Sequence, residues 1–275
     1  MTATLPSSIP FLLFACQQPI ERLEYLRPMG LNCVVDIDQT QGADPLKFAA
    51  WVAETRNRGL YRIHAPRDPN AAEASNQADA RDPLFLGWSF MDEPELHSLQ
   101  PADLLAKRAP FETYGKPWFG NFDGSQISGL QVKPTTPTPA VYQQLVALCD
   151  IVSEDVYPVS GWGLSIPLDS HVLCQQSLLN YAGPVRPRMA YVETCFQNLP
   201  WLPGGGRAPT AAEFDAQMAT LASSYLPMGL NGIGFYAARQ QGAGMAYSPW
   251  AVAADVQAQI SLWCRHLLGK SICVS

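Results

Sequence analysis

Eight apolar, strand-like segments alternate with helix-like segments along this chain, and the alternation limits the folds that the chain can adopt. Strict alternation of strands and helices predicts a parallel sheet, because parallel neighbours need a long crossover between them. The predicted strands are Ile9–Cys16, Leu31–Ile37, Leu60–His64, Phe85–Met91, Lys116–Phe122, Asp150–Tyr157, Pro187–Glu193 and Gly229–Tyr236.

The segments between these strands have helical spacing of apolar residues, and Asp44 and Thr210 are predicted helix caps. Two segments rich in Gly, Pro, Ser or Thr are predicted loops, Asp123–Pro139 and Asn198–Pro209. The predicted helices are Pro19–Met29, Pro45–Arg58, a short helix within Pro66–Asp82, Pro101–Ala109, Ala140–Cys149, Leu168–Tyr181, Thr210–Tyr225 and Trp250–Leu268.

Eight strand–helix units in roughly 250 residues predict an α/β fold, the (β/α)8 TIM barrel. No linker or change of composition separates the units, so residues 1–275 are predicted to form a single catalytic domain. The alternative is a doubly wound open sheet. Such a sheet favours a glycine-rich phosphate-binding turn after its first strand, whereas the segment 15–19 contains no glycine.

The amino-acid composition limits the classes of molecule that can be the main partner of this protein. A net charge of −6 and a pI near 5.2 argue against nucleic acid or an anionic membrane surface as the main partner. No run approaches the roughly 18 apolar residues of a membrane span. The seven cysteines include no Cys-x-x-Cys pair, which argues against a zinc ribbon and fits buried free thiols in a reducing compartment. The sequence predicts no oligomeric state.

The N-terminal segment contains one candidate targeting signal. Leu13–Cys16 is similar to a bacterial lipoprotein cleavage box, but no Lys or Arg precedes it and Pro6 and Pro10 interrupt the apolar stretch. We therefore expect no signal peptide, and a protein that is cytoplasmic or released by lysis or phage delivery. Export by another route stays open.

Two glutamates end the fourth and seventh predicted strands. Pro94 cannot donate to a sheet, so the fourth strand must stop at Asp92-Glu93, and the seventh ends at Glu193. In a (β/α)8 barrel the active site lies at the carboxyl ends of the strands. Two facing carboxyl groups, one protonated and one ionised, are what glycosidic cleavage needs. The alternative for either residue alone is a salt-bridged residue on the rim.

This pattern resembles clan A of the retaining (β/α)8 glycoside hydrolases. Asp92-Glu93-Pro94 is similar to the Asn/Asp-Glu-Pro of many members, and Ala190-Tyr191-Val192-Glu193 is similar to their nucleophile strand. The resemblance implies that Glu93 is the general acid/base and Glu193 the nucleophile of O-glycosidic bond hydrolysis by double displacement, without cofactor or metal. The residue before the acid/base is commonly an Asn that binds the sugar 2-hydroxyl, and Asp92 departs from that. The pattern identifies no specific family.

The other strand ends supply candidate substrate-binding residues. Tyr157 either hydrogen-bonds the nucleophile or is a core residue; Asp155 either binds a sugar hydroxyl or pairs with an arginine. His64 either steadies Glu93 or is structural, and Asn121 either contacts substrate or shapes a turn. The full predicted set is Asp92, His64, Asn121, Asp155, Tyr157, Trp162, Trp201, Tyr236 and Arg239.

The loops suggest the form of the substrate. Trp162 and Trp201 lie in Gly/Pro-rich segments, where an exposed aromatic face can stack on a sugar ring. Long loops after strands five to seven favour an open groove and internal cleavage of a polysaccharide or oligosaccharide.

Two other classes of protein remain as alternatives. A metal-dependent barrel hydrolase would use Asp36, Asp38 and His64, but the chain has only four histidines and no His-x-His on its first strand. A non-catalytic carbohydrate-binding barrel would keep the cleft without the chemistry, and the presence of both carboxylates argues against it.

Overall fold

The computed structural model describes residues 11–16, 18–36, 44–70, 72–159, 166–194, 207–224, 226–227, 229–236 and 252–271. Eight strands pair in chain order, all parallel, and β8 closes onto β1. The predicted (β/α)8 TIM barrel is confirmed. The strands are β1 Leu12–Cys16, β2 Cys33–Asp36, β3 Tyr61–His64, β4 Phe85–Asp92, β5 Trp118–Asp123, β6 Ile151–Asp155, β7 Arg188–Glu193 and β8 Leu230–Tyr236.

Helices surround the barrel, and none of those in the described residues is long and apolar enough to cross a membrane. The predicted caps are confirmed: the Asp44 carboxylate accepts from Leu46 N at 2.9 Å, and the Thr210 hydroxyl accepts from Glu213 N at 3.2 Å. The helices are α1 Leu23–Leu26, α2 Pro45–Asn57, α3 Glu73–Arg81, α4 Pro101–Arg108, α5 Gly124–Ile127, α6 Pro139–Ala147, α7 Ser170–Ala182, α8 Ala211–Ser224 and α9 Ala254–Ser271.

Two predicted elements were wrong in detail. The single helix over Pro19–Met29 is instead a 3-10 turn, Ile20–Arg22, followed by the single turn of α1. The segment after β5 is not a plain loop, because α5 begins in it. The Asp123 carboxylate accepts from Ser125 N at 2.9 Å, which starts a helix where composition indicated irregular chain.

The barrel interior is packed with side chains contributed from around the ring, as expected for a closed barrel of eight strands. Alternate residues on the same strands pack against the surrounding helices in two further clusters. The five cysteines within the described residues are buried and free, as predicted. The interior cluster consists of Leu12, Phe14, Cys16, Cys33, Val35, Ile63, Leu86, Phe119, Ile151, Tyr157, Met189 and Tyr191.

A β-bulge near the end of β4 sets the direction of the residues that follow. Ser89 pairs with Phe119 but Met91 pairs with Gly120, so two residues of β4 oppose one residue of β5. A Cβ on Gly120 would lie 2.5 Å from the Cys149 Sγ and 2.7 Å from the Met91 Cε, so a larger residue here would displace these two side chains. After the bulge Asp92 pairs with Asn121, and the chain enters the site in this register.

Candidate active site

Glu93 follows β4 at the end of the barrel where the carboxyl ends of the strands lie, which we call the mouth. Its φ of +39° is in the left-handed region, although it is not a glycine. Such a conformation costs on the order of 1–3 kcal/mol and is concentrated at functional sites. The Glu93 N–H donates to the Asn121 carbonyl at 3.0 Å, which anchors the residue to β5, and the side chain is half-buried.

Other acidic groups surround the Glu93 carboxyl group. Burial, followed by the negative charges of Asp155 and Asp92, raises the pKa of Glu93 well above its usual range. A carboxyl group in this environment keeps its proton to higher pH, as a general acid requires.

Asp92 belongs to a chain of hydrogen bonds across three strands. The Asn121 side-chain amide donates to the Asp92 carboxylate at 3.1 Å, and the Ser153 hydroxyl donates to the side-chain carbonyl oxygen of Asn121 at 2.6 Å. These two hydrogen bonds fix the orientation of the Asn121 side-chain amide. The structure therefore brings two of the predicted substrate-binding residues, Asp92 and Asn121, together beside Glu93.

Asp155, Tyr157 and Tyr236 also lie at the mouth, at the ends of β6 and β8. Burial and the charges of Asp92 and Asp123 raise the pKa of Asp155, while a hydrogen bond from Tyr157 opposes that rise. The Tyr157 and Tyr236 rings are stacked, with centroids 5.1 Å apart and planes at 22°. Burial raises the pKa of Tyr236, and the charge of Glu93 adds to the rise. These three residues lie in one site with Glu93, and we call the group of Asp92, Glu93, Asp155, Tyr157 and Tyr236 the mouth cluster.

Glu193 ends β7 and is fully buried. One of its carboxylate oxygens accepts from the Val159 backbone N–H at 2.6 Å and from the Gln217 amide at 3.3 Å. Val159 follows β6 and Gln217 lies on α8. The two glutamates therefore have different surroundings: other acids raise the pKa of Glu93, while donors from a loop and a helix hold Glu193.

His64 does not lie in this group. Its ring is buried outside the barrel wall, with Nε2 3.4 Å from the Asp79 carboxylate on α3 and with the Phe48 ring centroid at 5.0 Å. It is the last residue of β3, but its position in the strand directs it toward the helices. The prediction that His64 binds substrate or steadies Glu93 was wrong, and its structural alternative describes this contact.

Trp162, Trp201 and Arg239 lie outside the described residues, and their roles stay predictions. Asp38, one of the three ligands of the metal-dependent alternative, lies outside them as well. Over the described ranges, no three His, Cys, Asp or Glu side chains are arranged to hold a metal ion.

A buried polar network reaches Glu193 from the helices, and the sequence did not reveal it. Gln217 links Glu193 to His171 on α7, and His171 links to Glu154 on the outward face of β6. Gln175 donates to the same Glu154 carboxylate oxygen at 2.9 Å. We call these five residues the β6–β7 network.

One signal for this network was present in the sequence. On α8 the buried residues Phe214, Met218 and Leu221 define an apolar face, and Gln217 lies on that face. A polar residue on an apolar helix face needs a buried hydrogen-bond partner. The pattern shows the need but not which partner satisfies it.

Several solved glycosidases have a fold similar to this closed parallel barrel. No protein-family model matches the sequence, and a comparison with curated proteins finds no match. A GH5_18 protein from Streptomyces cattleya, solved in complex with GlcNAc, superposes with a TM-score of 0.63 at 10% identity, over 94% of this chain and 81% of that one.

Two further structures show the same barrel. A GH128 endo-β-1,3-glucanase from Amycolatopsis mediterranei, in complex with laminaripentaose, has a TM-score of 0.58 at 11% identity and covers 91% of this chain and 98% of its own. A β-glucuronidase from Ruminococcus gnavus has a TM-score of 0.54 at 15% identity over 92% of this chain. This chain spans about half (49%) of that β-glucuronidase. At these identities the likeness shows the fold.

Proposed function

We propose that this protein is a glycoside hydrolase that cleaves O-glycosidic bonds at the mouth of its barrel. The observation that carries the proposal is the position and environment of Glu93, which directly follows β4 in a strained conformation and has a raised pKa. Glu193 ends β7, across the ring of eight strands. Glycosidases named among the solved structures share this barrel, which supports the class.

The chemistry follows from two carboxyl groups with different surroundings. Glu93, holding its proton, donates it to the glycosidic oxygen as the leaving group departs. Glu193 attacks the anomeric carbon and forms a covalent glycosyl-enzyme. Glu93, now ionised, then takes a proton from the water that releases the sugar, so the configuration is retained.

Binding of the sugar is assigned to the rest of the mouth cluster. Asp92 offers a hydrogen-bonding group beside Glu93, as does Asn121 next to the cluster, and Asp155 offers another at the end of β6. Tyr236, which is partly exposed and stacks on the buried Tyr157, provides an aromatic surface for the apolar face of a sugar ring. The proposed substrate is a polysaccharide or oligosaccharide cleaved internally, with Trp162 and Trp201 as predicted stacking residues.

The test is a panel of polysaccharides with the products followed by NMR from the first minutes. We expect shortened oligosaccharides whose new reducing ends first appear with the anomeric configuration of the substrate. Glu193→Gln is expected to abolish turnover. Glu93→Gln is expected to lower kcat/KM by about 10²–10⁴-fold, the usual contribution of general acid–base catalysis.

Glu95→Gln is the matched control, because it makes the same substitution two residues from Glu93. Burial raises the pKa of Glu95 to about 8, so this residue is largely neutral at neutral pH and a neutral amide replaces it without a change of charge. We expect near wild-type turnover below pH 8. Wild-type turnover in either Glu93→Gln or Glu193→Gln would falsify the two-carboxyl assignment. Initial products of inverted configuration would exclude the double displacement.

A further inference from the structure

Four fully buried side chains form a continuous line from the helices to the mouth. The Gln217 amide donates to Glu193, and the Gln217 carbonyl oxygen lies 3.2 Å from His171 Nε2. The other ring nitrogen, Nδ1, lies 3.4 Å from the Glu154 carboxylate. Glu154 and Glu193 come from neighbouring strands, but Glu154 points out to α7 while Glu193 lies at the strand end.

When Glu154 and Glu193 are both ionised, the donors and acceptors along this line allow one consistent arrangement. A carboxylate and an amide carbonyl oxygen both accept, so His171 must donate from both ring nitrogens and carry a positive charge. With its carbonyl oxygen held by His171, Gln217 can present only its NH₂ group to Glu193. A reversed amide would place two acceptors against each other at Glu193.

We propose that His171 and Gln217 are positioning residues that hold the candidate nucleophile Glu193 as an oriented carboxylate acceptor. The inference rests on the proposed function for its catalytic meaning. The linkage itself does not: the charge on His171 and the charge on Glu193 depend on each other through the orientation of one amide.

The surroundings of His171 support its positive charge. Burial by itself lowers the pKa of His171, but the hydrogen bond and charge of Glu154 outweigh burial and raise it. The groups that face the ring are Glu154 from β6, Gln217 from α8 and, through its charge, Glu193 from β7. The ring therefore has one directly bonded anion and a second anion beyond the amide.

The backbone also makes room for this arrangement. A Cβ on Gly124 would lie 2.7 Å from the second Glu154 carboxylate oxygen, so glycine at the start of α5 leaves space for that group. The Gln175 amide donates both to Glu154 and to the Met189 carbonyl at 3.0 Å, which fixes the carboxylate against β7.

The first arm of the test measures the linkage without substrate. NMR titration of the imidazole resonances, assigned with His171→Gln, reports the charge of His171. We expect a doubly protonated ring near neutral pH and a lower pKa in Glu193→Gln and in Gln217→Met. The resonances of the exposed His266 on α9 are the internal control and should be unaffected by these substitutions.

The second arm measures the acid limb of the kcat/KM profile, which reports the ionisation of the nucleophile in the free enzyme. Gln217→Met removes the donor to Glu193 at nearly constant shape. The limb is expected to move to higher pH by about one to two units, since a hydrogen bond to a charged group is lost. The control is Gln176→Met, the same substitution at an exposed amide of α7 outside the network, which should leave the limb in place.

The outcomes distinguish the proposed function from the linkage between His171 and Glu193. If no polysaccharide is cleaved by the wild type, the proposed function fails, and the NMR arm still decides the linkage. A His171 ring that is neutral near pH 7, or whose titration ignores Glu193→Gln, overturns the inference. So does an acid limb in Gln217→Met that coincides with that of Gln176→Met.

Discussion

Two buried charged networks lie between the barrel and its helices, and they end differently. In the first, the Arg62 guanidinium bonds Asp79 and Asp82 at 2.7 Å each, with His64 beside Asp79 and the half-exposed Arg56 beside Asp82. We call these five residues the β3 network. The second is the β6–β7 network. The β3 network closes on itself between β3, α2 and α3, whereas the β6–β7 network reaches the mouth at Glu193.

The difference lies in connectivity and in the balance of charge. The β3 network contains two fixed cations and two acids. Within the described residues its side chains bond to one another and to nearby backbone groups, such as the Leu84 N–H that donates to Asp82. The β6–β7 network has one titratable cation, His171, and an amide that transmits its orientation to a strand end. Burial of ionised groups is costly and is weak evidence of stabilisation by itself. A buried charge near the barrel therefore indicates a site only when its contacts lead to the mouth.

The largest expected effect is on the β3 network. Arg62→Met should lower the free energy of unfolding by about 3–5 kcal/mol, because it leaves two buried carboxylates without their shared cation. Urea unfolding at pH 7 measures the change.

Arg56→Met is the matched control, since Arg56 contacts the same Asp82 but its side chain is 43% exposed. A surface ion pair contributes about 0–1 kcal/mol. Equal destabilisation by the two variants would show that burial does not distinguish these arginines.

The barrel could be predicted because both faces of its strands are covered. Segments such as Phe85–Met91 read as continuous apolar runs, and the glycine and proline residues between elements mark their ends. The ends themselves were less certain, since caps and bulges depend on individual hydrogen bonds. That Glu93 and Glu193 lie at the mouth could be predicted, because a residue at the carboxyl end of any barrel strand lies at that end of the barrel.

Whether a side chain near a strand end points into the barrel or toward the helices could not be predicted. His64 ends β3 as Glu193 ends β7, yet His64 lies against Asp79 in the helix layer. A one-residue shift reverses the face of a strand residue, and the bulge at Ser89–Met91 shows that such shifts occur here. The β6–β7 network was also hidden, because His171 and Gln217 are 46 residues apart and meet only through packing of α7 and α8.

Acid should weaken the β3 network. Burial by itself raises the pKa of Asp82, but the hydrogen bonds from Arg56, Leu84 N and Arg62 outweigh it and lower the pKa from 3.8 to about 2. The ionised Asp82 stabilises the folded protein by about 2 kcal/mol when the pH is above the pKa of Asp82 in the unfolded chain. This stabilisation is lost between about pH 5 and 2, as the pH falls through the pKa of Asp82 in the folded protein.

Urea unfolding over this pH range, in the wild type and in Asp82→Asn, isolates the contribution of Asp82. The wild type should lose its advantage over the variant as the pH falls. A difference between the two proteins that stays constant from pH 5 to pH 2 contradicts the assignment.

The smallest expected effect has the opposite sign and belongs to the β6–β7 network. Glu154 raises the pKa of His171 against the effect of burial, so the protonated His171 stabilises the folded protein. This stabilisation is complete below the pKa of about 6.5 that histidine has in the unfolded chain, and it is lost as the pH rises through the pKa of His171 in the folded protein. It should be smaller than the effect of Asp82, since the cost of burying the imidazolium offsets much of the gain from its hydrogen bonds.

The measurement is the difference in unfolding free energy between wild type and His171→Gln from pH 6 to pH 9, which should shrink as the pH rises. Asp82→Asn should leave that alkaline trend unchanged, because Asp82 is ionised in both folded and unfolded chains over this range. An alkaline trend that persists in His171→Gln would assign it to another group and would remove the contrast between the two networks.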